Sequence, residues 1–531
     1  MKTDYKTIQV ELKDGVAVII MNNPPVNQLS ERFSNELTDV FKNAFEDPEI
    51  LAVVLTGTGN NFIAGADITR IQGAVNREDI LQATLAGTRF ISSLETGPKP
   101  VIAAINGNCL GAGLEIAMAC HFRVAAKGAT LGQPEVQIGL IPGAGGTQRL
   151  PRLIGLRYAL EMITTGKPVK SKTAYERGLV DALTDPDSLL EKAMDAAAQF
   201  ISGKLNIKMR MTRHMHHWIP SAAEKTAMMD FAKVMVAAQS KGYIAPMKAL
   251  EAIDKGLSYD IDIDLEREAA LFADCAVSDV ARNLIGIFFN TRSAGKLDRI
   301  KGIEPAEIKK VAMLGGGVMG SGIVNLLLMG GCETILWDIN EDALTKGLAS
   351  IRKTFAYPIK KRKMTSEALE RMLETQLKTT TDLKDLADVD LVIEAVLEDM
   401  QIKQNIWNQL QAICSPHTVF ATNTSALPIT EMAKILTDPA RMLGLHFFNP
   451  AHRMQLLEII CAKATSNQTL ATCVAFARRI KKIMLRIREV RIVREMQCQG
   501  PIGVLPDSAA RCYNLVRGLE APGDFSPQLV F

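Results

Sequence analysis

A glycine-rich segment in the second half of the chain has residue types and spacing suited to binding a dinucleotide. Residues 311–320, VAMLGGGVMG, join a short apolar stretch to a G-x-G-x-x-G pattern. In this pattern Gly315 allows a tight turn, Gly317 lets the backbone approach a pyrophosphate, and Gly320 lets helix and strand pack closely. Asp338 ends the next apolar stretch, where its carboxylate can accept hydrogen bonds from both ribose hydroxyls and would repel a 2′-phosphate.

The pattern therefore predicts NAD rather than NADP as the cofactor. The alternative is a glycine-rich turn in an ordinary α/β domain. The predicted cofactor-binding residues of this turn are Gly315, Gly317, Met319, Gly320 and Asp338.

Two glutamates in the first third of the chain could work as an acid–base pair. Glu115 ends the segment NGNCLGAGLE, and Glu135 ends GQPE. One carboxylate can take a proton from water while the other delivers a proton to carbon. Because two carboxylates in a partly dry pocket repel each other, they would share one proton. Taken singly, Glu115 would be a helix-capping residue and Glu135 a surface glutamate.

Four segments around these glutamates resemble the crotonase (enoyl-CoA hydratase) family in order and spacing. They are NNFIAGADI (60–68), NGNCLGAGLE (106–115), GQPE (132–135) and IPGAGGTQRL (141–150). The resemblance implies that Glu115 orients and activates water and that Glu135 exchanges the α-proton of a thioester. It also implies that the backbone N–H groups of Ala66 and Ala112 stabilise the enolate oxygen, each by about 3 kcal/mol. The second donor is usually a glycine in that family, so Ala112 departs from the pattern.

A histidine follows the glycine turn in a second polar constellation. Its segments are VIEAVLEDMQIK (392–403), TNTSAL (422–427) and GLHFFNP (444–450), with Glu458 beyond them. A lone histidine after an apolar strand is more often a satisfied core residue. From about residue 310 to 475, however, the order and spacing resemble the L-3-hydroxyacyl-CoA dehydrogenase family. The resemblance implies that His446 is the general base and that Glu458 holds its other ring nitrogen.

The same resemblance assigns four further residues. Ser425 and Asn449 would hydrogen-bond the substrate hydroxyl or its developing carbonyl. Glu398 and Lys403 match cofactor-contacting positions. For these last two residues the alternative is a charge pair on the protein surface.

The two resemblances together are those of a multifunctional fatty-acid-oxidation enzyme. Hydration of a trans-2-enoyl-CoA yields the 3-hydroxyacyl-CoA that the second half would oxidise with NAD. The fold class expected is α/β, a crotonase-like ββα spiral domain followed by a Rossmann-type, doubly wound parallel sheet. The resemblance also implies acyl-CoA thioesters as substrates, an enoyl-CoA isomerase activity at the same two glutamates, and a thiolase partner subunit in an oligomer.

The resemblance fades near Ile480, and residues 483–531 show neither helical nor strand periodicity. We expect a truncation or a frameshift there, in place of the family's helical C-terminal domain. The predicted domains are a crotonase-like core at 1–190, a helical extension and linker at 191–309, a dehydrogenase domain at 310–480 and an aberrant tail at 481–531. Two alternatives stay open: a hydratase with a non-functional NAD domain, and a non-catalytic subunit that recruits a thiolase.

Apolar periodicity predicts the elements that must position these residues. Short β-branched runs predict strands at 16–21, 51–55, 101–105, 311–314, 334–337, 391–395, 419–422 and 443–447. Apolar residues at helical spacing predict helices around 193–200, 227–238 and 265–289.

Bulk composition excludes several classes of protein. The chain has 531 residues, too many for one core, and its net charge of +3 gives no indication of nucleic-acid binding. No apolar run is long enough to span a bilayer. The nine cysteines contain no C-x-x-C pair, so we expect reduced thiols and no metal site. The last residues, QLVF, are not a peroxisomal S-K-L address, so a cytoplasmic location is expected.

Overall fold

The computed structural model describes residues 4–240 and 242–488 of the chain. These residues form two compact units, and the chain passes from the first to the second between Phe288 and Phe289. The helices between residues 222 and 276 pack on helices of the first unit and belong to it. The four-part division of the chain given above stays a prediction.

The first unit is built on two sheets. In the larger sheet the strand order is β1-β2-β3-β5-β7-β10, and in the smaller it is β4-β6-β8-β9. Only the pairs β1–β2 and β8–β9 are antiparallel among the described strands of this unit. The strands are β1 (Ile8–Lys13), β2 (Val16–Met21), β3 (Ala52–Gly57), β4 (Asn61–Ala64), β5 (Val101–Ile105), β6 (Asn108–Leu110), β7 (Phe122–Ala126), β8 (Thr130–Gly132), β9 (Val169–Lys170) and β10 (Ala182–Thr184).

Helices cover both sheets of the first unit. They are α1 (Glu31–Glu46), α2 (Thr69–Gln72), α3 (Arg77–Thr96), α4 (Ala112–Ala119), α5 (Gly146–Thr165), α6 (Ser171–Glu176), α7 (Leu189–Ile201), α8 (Ile207–Arg210), α9 (Ala222–Gln239), α10 (Ile244–Lys255), α11 (Ile261–Ala276) and α12 (Asp279–Ser293), the last of which crosses the division between the units. Strand β5 is buried along its whole length, as its unbroken apolar run predicts.

The helix expected over 265–289 is interrupted once. Helix α11 ends at Ala276 and α12 begins at Asp279. The Ser278 hydroxyl accepts a hydrogen bond from Ala281 N (3.1 Å), so it satisfies an otherwise unpaired donor at the start of the new helix. Apolar spacing continues through the break and does not reveal it.

The second unit is a single sheet in the order β13-β12-β11-β14-β15-β16-β17-β18. Neighbouring strands are parallel except for the antiparallel pair β16–β17. The elements are β11 (Lys310–Leu314), α13 (Val318–Met329), β12 (Glu333–Trp337), α14 (Glu341–Lys360), α15 (Ser366–Gln376), β13 (Leu377–Thr380), β14 (Leu391–Glu394), α16 (Met400–Ile413), β15 (Val419–Thr422), α17 (Ile429–Ala433), β16 (Met442–Phe447), β17 (Leu456–Cys461), α18 (Asn467–Arg479) and β18 (Ile483–Arg488).

This arrangement is the expected doubly wound α/β sheet, and apolar clusters cover both of its faces. The strand order reverses on either side of β11, so the carboxyl ends of β11 and β14 flank a crevice of the kind in which such sheets bind ligands. The glycine turn begins directly after β11.

The prediction of no strand beyond residue 483 is wrong for the first six residues. Strand β18 pairs with β17 over its full length, from Leu456 opposite Ile483 to Cys461 opposite Arg488. Each residue of β18 pairs with a residue 27 positions earlier in the chain, and local periodicity does not reveal so distant a partner. The rest of the predicted tail, 489–531, lies outside the described residues.

No helix within residues 4–240 and 242–488 is both long and apolar enough to cross a membrane. Short 3₁₀ turns complete the described elements, at Glu135–Ile138, Pro186–Ser188, Thr212–His214, Asp298–Ile300, Leu383–Leu386 and Pro439–Arg441.

The close packing of α4 on β4 can be tested with two helical glycines. A Cβ on Gly113 of α4 would lie 2.3 Å from the backbone oxygen of Ile63, whereas one on Gly87 of α3 would meet nothing within 4 Å. We expect Gly113→Ala to lower the free energy of unfolding by about 1–3 kcal/mol through overpacking. Gly87→Ala should raise it by about 0.5–1 kcal/mol. Urea unfolding followed by circular dichroism measures both; equal stability of the two variants would contradict the packing.

Candidate active sites

Glu115 lies in the first turn of α4 and is held by main-chain donors. Helix α4 starts directly after Gly111, whose φ of +55° is a conformation that favours glycine. The Glu115 residue is 3% exposed. Its Oε1 atom accepts hydrogen bonds from Ala144 N and Gly146 N, both at 2.8 Å. These donors belong to the residues Gly143–Thr147, hereafter the 143–147 loop.

Glu135 begins the short 3₁₀ turn that follows β8. With its amide oriented to satisfy its neighbours, Gln133 donates to both oxygens of Glu135, at 2.8 and 3.1 Å. A Cβ built on Gly111 would lie 3.0 Å from Glu135 Oε1. One on Gly146 would lie 3.0 Å from Glu115 Oε1 and 2.9 Å from the Gln133 side-chain amide. Glu115, Gln133 and Glu135 thus surround one space, into which these glycines place no side chain.

The two glutamates influence each other's ionisation. Burial raises the pKa of Glu115, although Ala144 N, Gly146 N and the Arg149 charge lower it. Burial and then the charge of Glu115 raise the pKa of Glu135 well above its ordinary value. Both effects favour retention of a proton by the pair, as expected for two neighbouring carboxylates in a dry site.

Ala66 and Ala112 bring two backbone donors to the same region. The residues that precede them touch, because a Cβ on Gly111 would lie 3.7 Å from Gly65 Cα. An isolated β-bridge pairs Ala66 with Leu29. Its two hydrogen bonds use the oxygen of Gly65 and the N–H of Asp67, so they do not involve the N–H of Ala66. Ala112 is the first residue of α4, where an N–H has no partner inside the helix. Among the described residues, neither N–H is hydrogen-bonded to another part of the protein.

The glycine turn of the second unit presents an open helix N-terminus. Helix α13 has Gly317 as its N-cap, so no cap side chain accepts from the N–H groups of its first turn. A Cβ on Gly317 would meet nothing within 4 Å, whereas one on Gly320 would lie 1.8 Å from Gly315 O. Asp338 Oδ2 accepts from Gly316 N at 2.7 Å, which fixes this carboxylate beside the turn.

These features fit a dinucleotide. The space over Gly317 admits a pyrophosphate to the free N–H groups of α13, and Asp338 retains acceptor capacity for ribose hydroxyls. Met319 lies in the first turn of the same helix.

Lys403 links a buried and an exposed glutamate. Lys403 Nζ contacts Glu394 Oε1 at 2.6 Å and Glu398 Oε2 at 3.0 Å. The Lys403 side chain is 1% exposed and that of Glu398 is 41% exposed, so only one member of the predicted pair lies at the surface. Burial raises the pKa of Glu398, but the Thr424 hydroxyl and Lys403 outweigh it and lower the pKa overall.

His446 and Glu458 form a cross-strand pair. They are directly opposite in the antiparallel register of β16 and β17, and His446 Nδ1 lies 2.7 Å from Glu458 Oε2. The other ring nitrogen, Nε2, is thereby left to act on a ligand.

Ser425 and Asn449 follow the carboxyl ends of β15 and β16, which are neighbours in the sheet. Ser425 N donates to Glu398 Oε1 at 3.2 Å, so the loop that carries Ser425 is tied to this glutamate. Asn423 Oδ1 accepts from Phe447 N at 2.8 Å and joins the same loop to the end of β16, beside His446.

Sequence reasoning missed several residues that hold the predicted ones. They are Gln133 beside Glu135, Glu394 beneath Lys403, and Glu268 on α11, which contacts the other side of the 143–147 loop. The signal available for Glu268 is a carboxylate on an apolar helix stripe, between Leu265 and Phe272. Within the part of the chain that the structure describes, no cluster of His, Cys, Asp and Glu could hold a metal ion.

Comparisons with known proteins bear on both units. Residues 11–245 match the enoyl-CoA hydratase/isomerase family, and residues 310–490 match the NAD binding domain of 3-hydroxyacyl-CoA dehydrogenase. A peroxisomal fatty acid beta-oxidation multifunctional protein of Arabidopsis thaliana is 36% identical over 473 residues, which cover 88% of this chain and 65% of that protein. The fatty acid oxidation complex subunit alpha of Shewanella frigidimarina is 37% identical over 484 residues, which cover 90% of this chain and 68% of that protein.

The chain therefore spans about two thirds of the length of these curated relatives. Among solved structures, the chain is similar to a 3-hydroxybutyryl-CoA dehydrogenase from Escherichia coli, with 35% identity and a TM-score of 0.34. That match covers 35% of this chain and 39% of the other.

The buried carboxylates predict a pH dependence of stability. Burial and the charge of Glu115 raise the pKa of Glu268 from 4.5 to about 8, against the lowering effect of Thr147 and Gly145. The folded chain then keeps a proton that the unfolded chain loses above pH 4.5, so the stability due to this proton disappears as the pH rises towards 8. We expect Glu268→Gln to flatten the fall in urea midpoint between pH 5 and pH 8.

The control is Glu266→Gln, which makes the same chemical change at an exposed position of the same helix. Its midpoints should fall with pH as those of the wild type do. Parallel curves for wild type and Glu268→Gln would contradict the proton assigned to Glu268.

Proposed function

Because the chain belongs to the multifunctional fatty acid β-oxidation proteins, we propose that it hydrates trans-2-enoyl-CoA in its first unit and oxidises the resulting 3-hydroxyacyl-CoA with NAD in its second. The observation that carries the proposal is the juxtaposition of two glutamates of raised pKa, Glu115 and Glu135, with the N–H groups of Ala66 and Ala112, which have no partner among the described residues. Acid–base chemistry at a thioester needs both features.

In the proposed hydration, Glu115 accepts a proton from water and Glu135 delivers a proton to the α-carbon. The negative charge that develops on the thioester oxygen is stabilised by the N–H groups of Ala66 and Ala112, aided by the N-terminus of α4. Because each glutamate can hold or release the shared proton, the same pair supports a proton shift along the acyl chain, which is the proposed enoyl-CoA isomerase activity.

In the proposed oxidation, the unpaired ring nitrogen of His446 removes the proton of the 3-hydroxyl group. Glu458 holds Nδ1 and stabilises the imidazolium that results. Ser425 and Asn449 orient the hydroxyl. NAD, when bound, supplies the hydride acceptor, and the glycine turn with Asp338, Glu398 and Lys403 would hold it.

Two narrower functions remain candidates: hydration alone, and a non-catalytic subunit that recruits a thiolase. Paired carboxylates beside free amide donors support catalysis rather than the scaffold, since a scaffold needs neither. The name of the Shewanella relative, a complex subunit alpha, supports a partner chain. The thiolase, the oligomer and the cytoplasmic location stay predictions, and the relatives include peroxisomal and glyoxysomal plant proteins.

Hydration of crotonyl-CoA tests the first activity. We expect Glu115→Gln and Glu135→Gln each to lower kcat by about 10²–10⁴-fold, because each removes one proton-transfer group without changing shape. Loss of the conjugated enoyl absorbance measures the rate, and Glu266→Gln should keep wild-type activity. Retention of activity by either active-site variant would refute the assignment, and an inactive wild type would favour the scaffold.

Reduction of acetoacetyl-CoA by NADH tests the second activity. We expect His446→Gln to lower kcat by about 10²–10⁴-fold while NADH still binds, because the imidazole contacts the substrate rather than the turn. Asp338→Ala should instead weaken NADH binding, measured by titration calorimetry. An active His446→Gln variant would contradict the role of the histidine. If the wild type hydrates crotonyl-CoA but does not reduce acetoacetyl-CoA, the narrower function of hydration without oxidation would be favoured.

A further inference from the structure

A third buried carboxylate lies beside the glutamate pair of the first unit. Glu268, on α11, is 0% exposed. It accepts hydrogen bonds from Gly145 N and Thr147 N, the latter at 2.7 Å, and from the Thr147 hydroxyl. The proposed hydration does not use this group, although a buried carboxylate is costly to retain unless it is well bonded.

The 143–147 loop lies between Glu268 and Glu115. Its consecutive N–H groups alternate in direction: those of Ala144 and Gly146 bind Glu115, and those of Gly145 and Thr147 bind Glu268. Displacement of the loop towards either carboxylate would lengthen its bonds to the other. The two carboxylates thus fix the loop from opposite sides.

Two further contacts hold the loop. A Cβ on Gly143 would lie 2.7 Å from the ring of Phe272, one helical turn after Glu268, so the ring packs directly on this glycine. Arg149 Nη1 donates to Ala144 O at 3.2 Å. Glu268 nevertheless supplies the only side-chain acceptor for Gly145 N and Thr147 N among the described residues.

We propose that Glu268 is a positioning residue for the hydration reaction: it holds the 143–147 loop so that the N–H groups of Ala144 and Gly146 keep Glu115 in its reactive orientation. This inference rests on the hydration function proposed above. Glu268 contacts no reacting atom and acts through the loop. Helix α11 is thereby part of the active site, although it lies outside all four crotonase-like segments.

Electrostatics couples Glu268 to the reacting pair as well. The groups that act on it or share its surroundings are Glu115 of α4, Glu135 after β8, Arg149 of α5, Glu95 of α3, which is ion-paired with Arg149, and Asp264 of α11, which is ion-paired with Arg152. The charge of Glu268 raises the pKa of Glu135. Ionisation of Glu268, with a pKa of about 8, should therefore be visible in the pH dependence of kcat/KM.

The test is the pH profile of crotonyl-CoA hydration by the full chain. In Glu268→Gln the amide group puts a donor against the amides of the loop and removes the charge. We expect kcat to fall about 10- to 100-fold from misplacement of Glu115, with KM changed less than about threefold. We also expect the ionisation near pH 8 to vanish from the kcat/KM profile. Glu268→Asp, which keeps the carboxylate, should restore that ionisation and part of kcat.

The matched control is Asp264→Asn. Asp264 is a buried carboxylate of the same helix that contacts Arg152 and Ser258 and does not touch the loop. This variant should keep the wild-type shape of the profile even if it is less stable. If Glu268→Gln does not fold, Thr147→Val is the second variant. It removes the hydroxyl bond to Glu268 and the 2.8 Å bond that this hydroxyl accepts from Gln148 Nε2, and it should lower kcat in the same way, with Thr147→Ser restoring it.

Three results would overturn the inference. They are an unchanged kcat and profile in Glu268→Gln, an equal loss in Asp264→Asn, and unaltered kinetics in Thr147→Val. If the wild type is active and Glu135→Gln is not, any of these three results would leave the proposed hydration intact. An inactive wild type would overturn both proposals together.

Discussion

Burying carboxyl groups close together is the constraint on which the first unit depends. Carboxyl groups that are nearly free of water need hydrogen-bond donors, and main-chain amides are donors whose positions the fold already fixes. The 143–147 loop supplies four of them in sequence, two to Glu115 and two to Glu268. Its glycines let helices and side chains approach closely enough for this, since a Cβ on Gly146 would meet Pro142, Gln133 and Glu115 at 2.5–3.0 Å.

In the second unit, the register of the strands determines which side chains come together. Most of this unit's predicted ligand-binding residues lie at or after the carboxyl ends of parallel strands, where they collect at one edge of the sheet. Strand β17 differs in direction, and its antiparallel register with β16 places Glu458 directly opposite His446. Lys403 then joins strand and helix beneath this edge, because its ammonium group neutralises both Glu394 and Glu398.

Local sequence predicted eight strands of the two larger sheets closely, none of the four-stranded sheet, and the contents of each site in part. The strands at 16–21, 101–105 and 419–422 agree with the structure residue for residue. Buried parallel strands are continuous apolar runs, so their limits are visible in the sequence. The break at Val277–Ser278 and strand β18 were not predicted, because the first depends on one serine and the second on a distant partner.

The supporting residues were harder to predict for a related reason. Glu268 acts by a long-range contact, 121 positions from Thr147, and no motif encodes that separation. Gln133 and Glu394 lie in the segments GQPE and VIEAVLEDMQIK, close to their partners, but the spacing alone does not show which side chains meet. Charged residues are almost never fully buried unless paired. A carboxylate on an apolar helix stripe or in a buried strand therefore indicates a partner, but it does not identify that partner.

The segment Gly111-Ala112-Gly113 shows why a departure from a family pattern is tolerated at one position and not at its neighbours. Gly111 has a φ of +55°, and a Cβ there would also lie 3.0 Å from Glu135 Oε1. Gly113 packs against Ile63 O too closely for any side chain. Ala112 lies between them with intermediate exposure and ordinary helical geometry, so its methyl group has room and its N–H is unaffected. What the proposed oxyanion site requires at this position is a backbone donor at the start of a helix, and alanine provides it as well as glycine does.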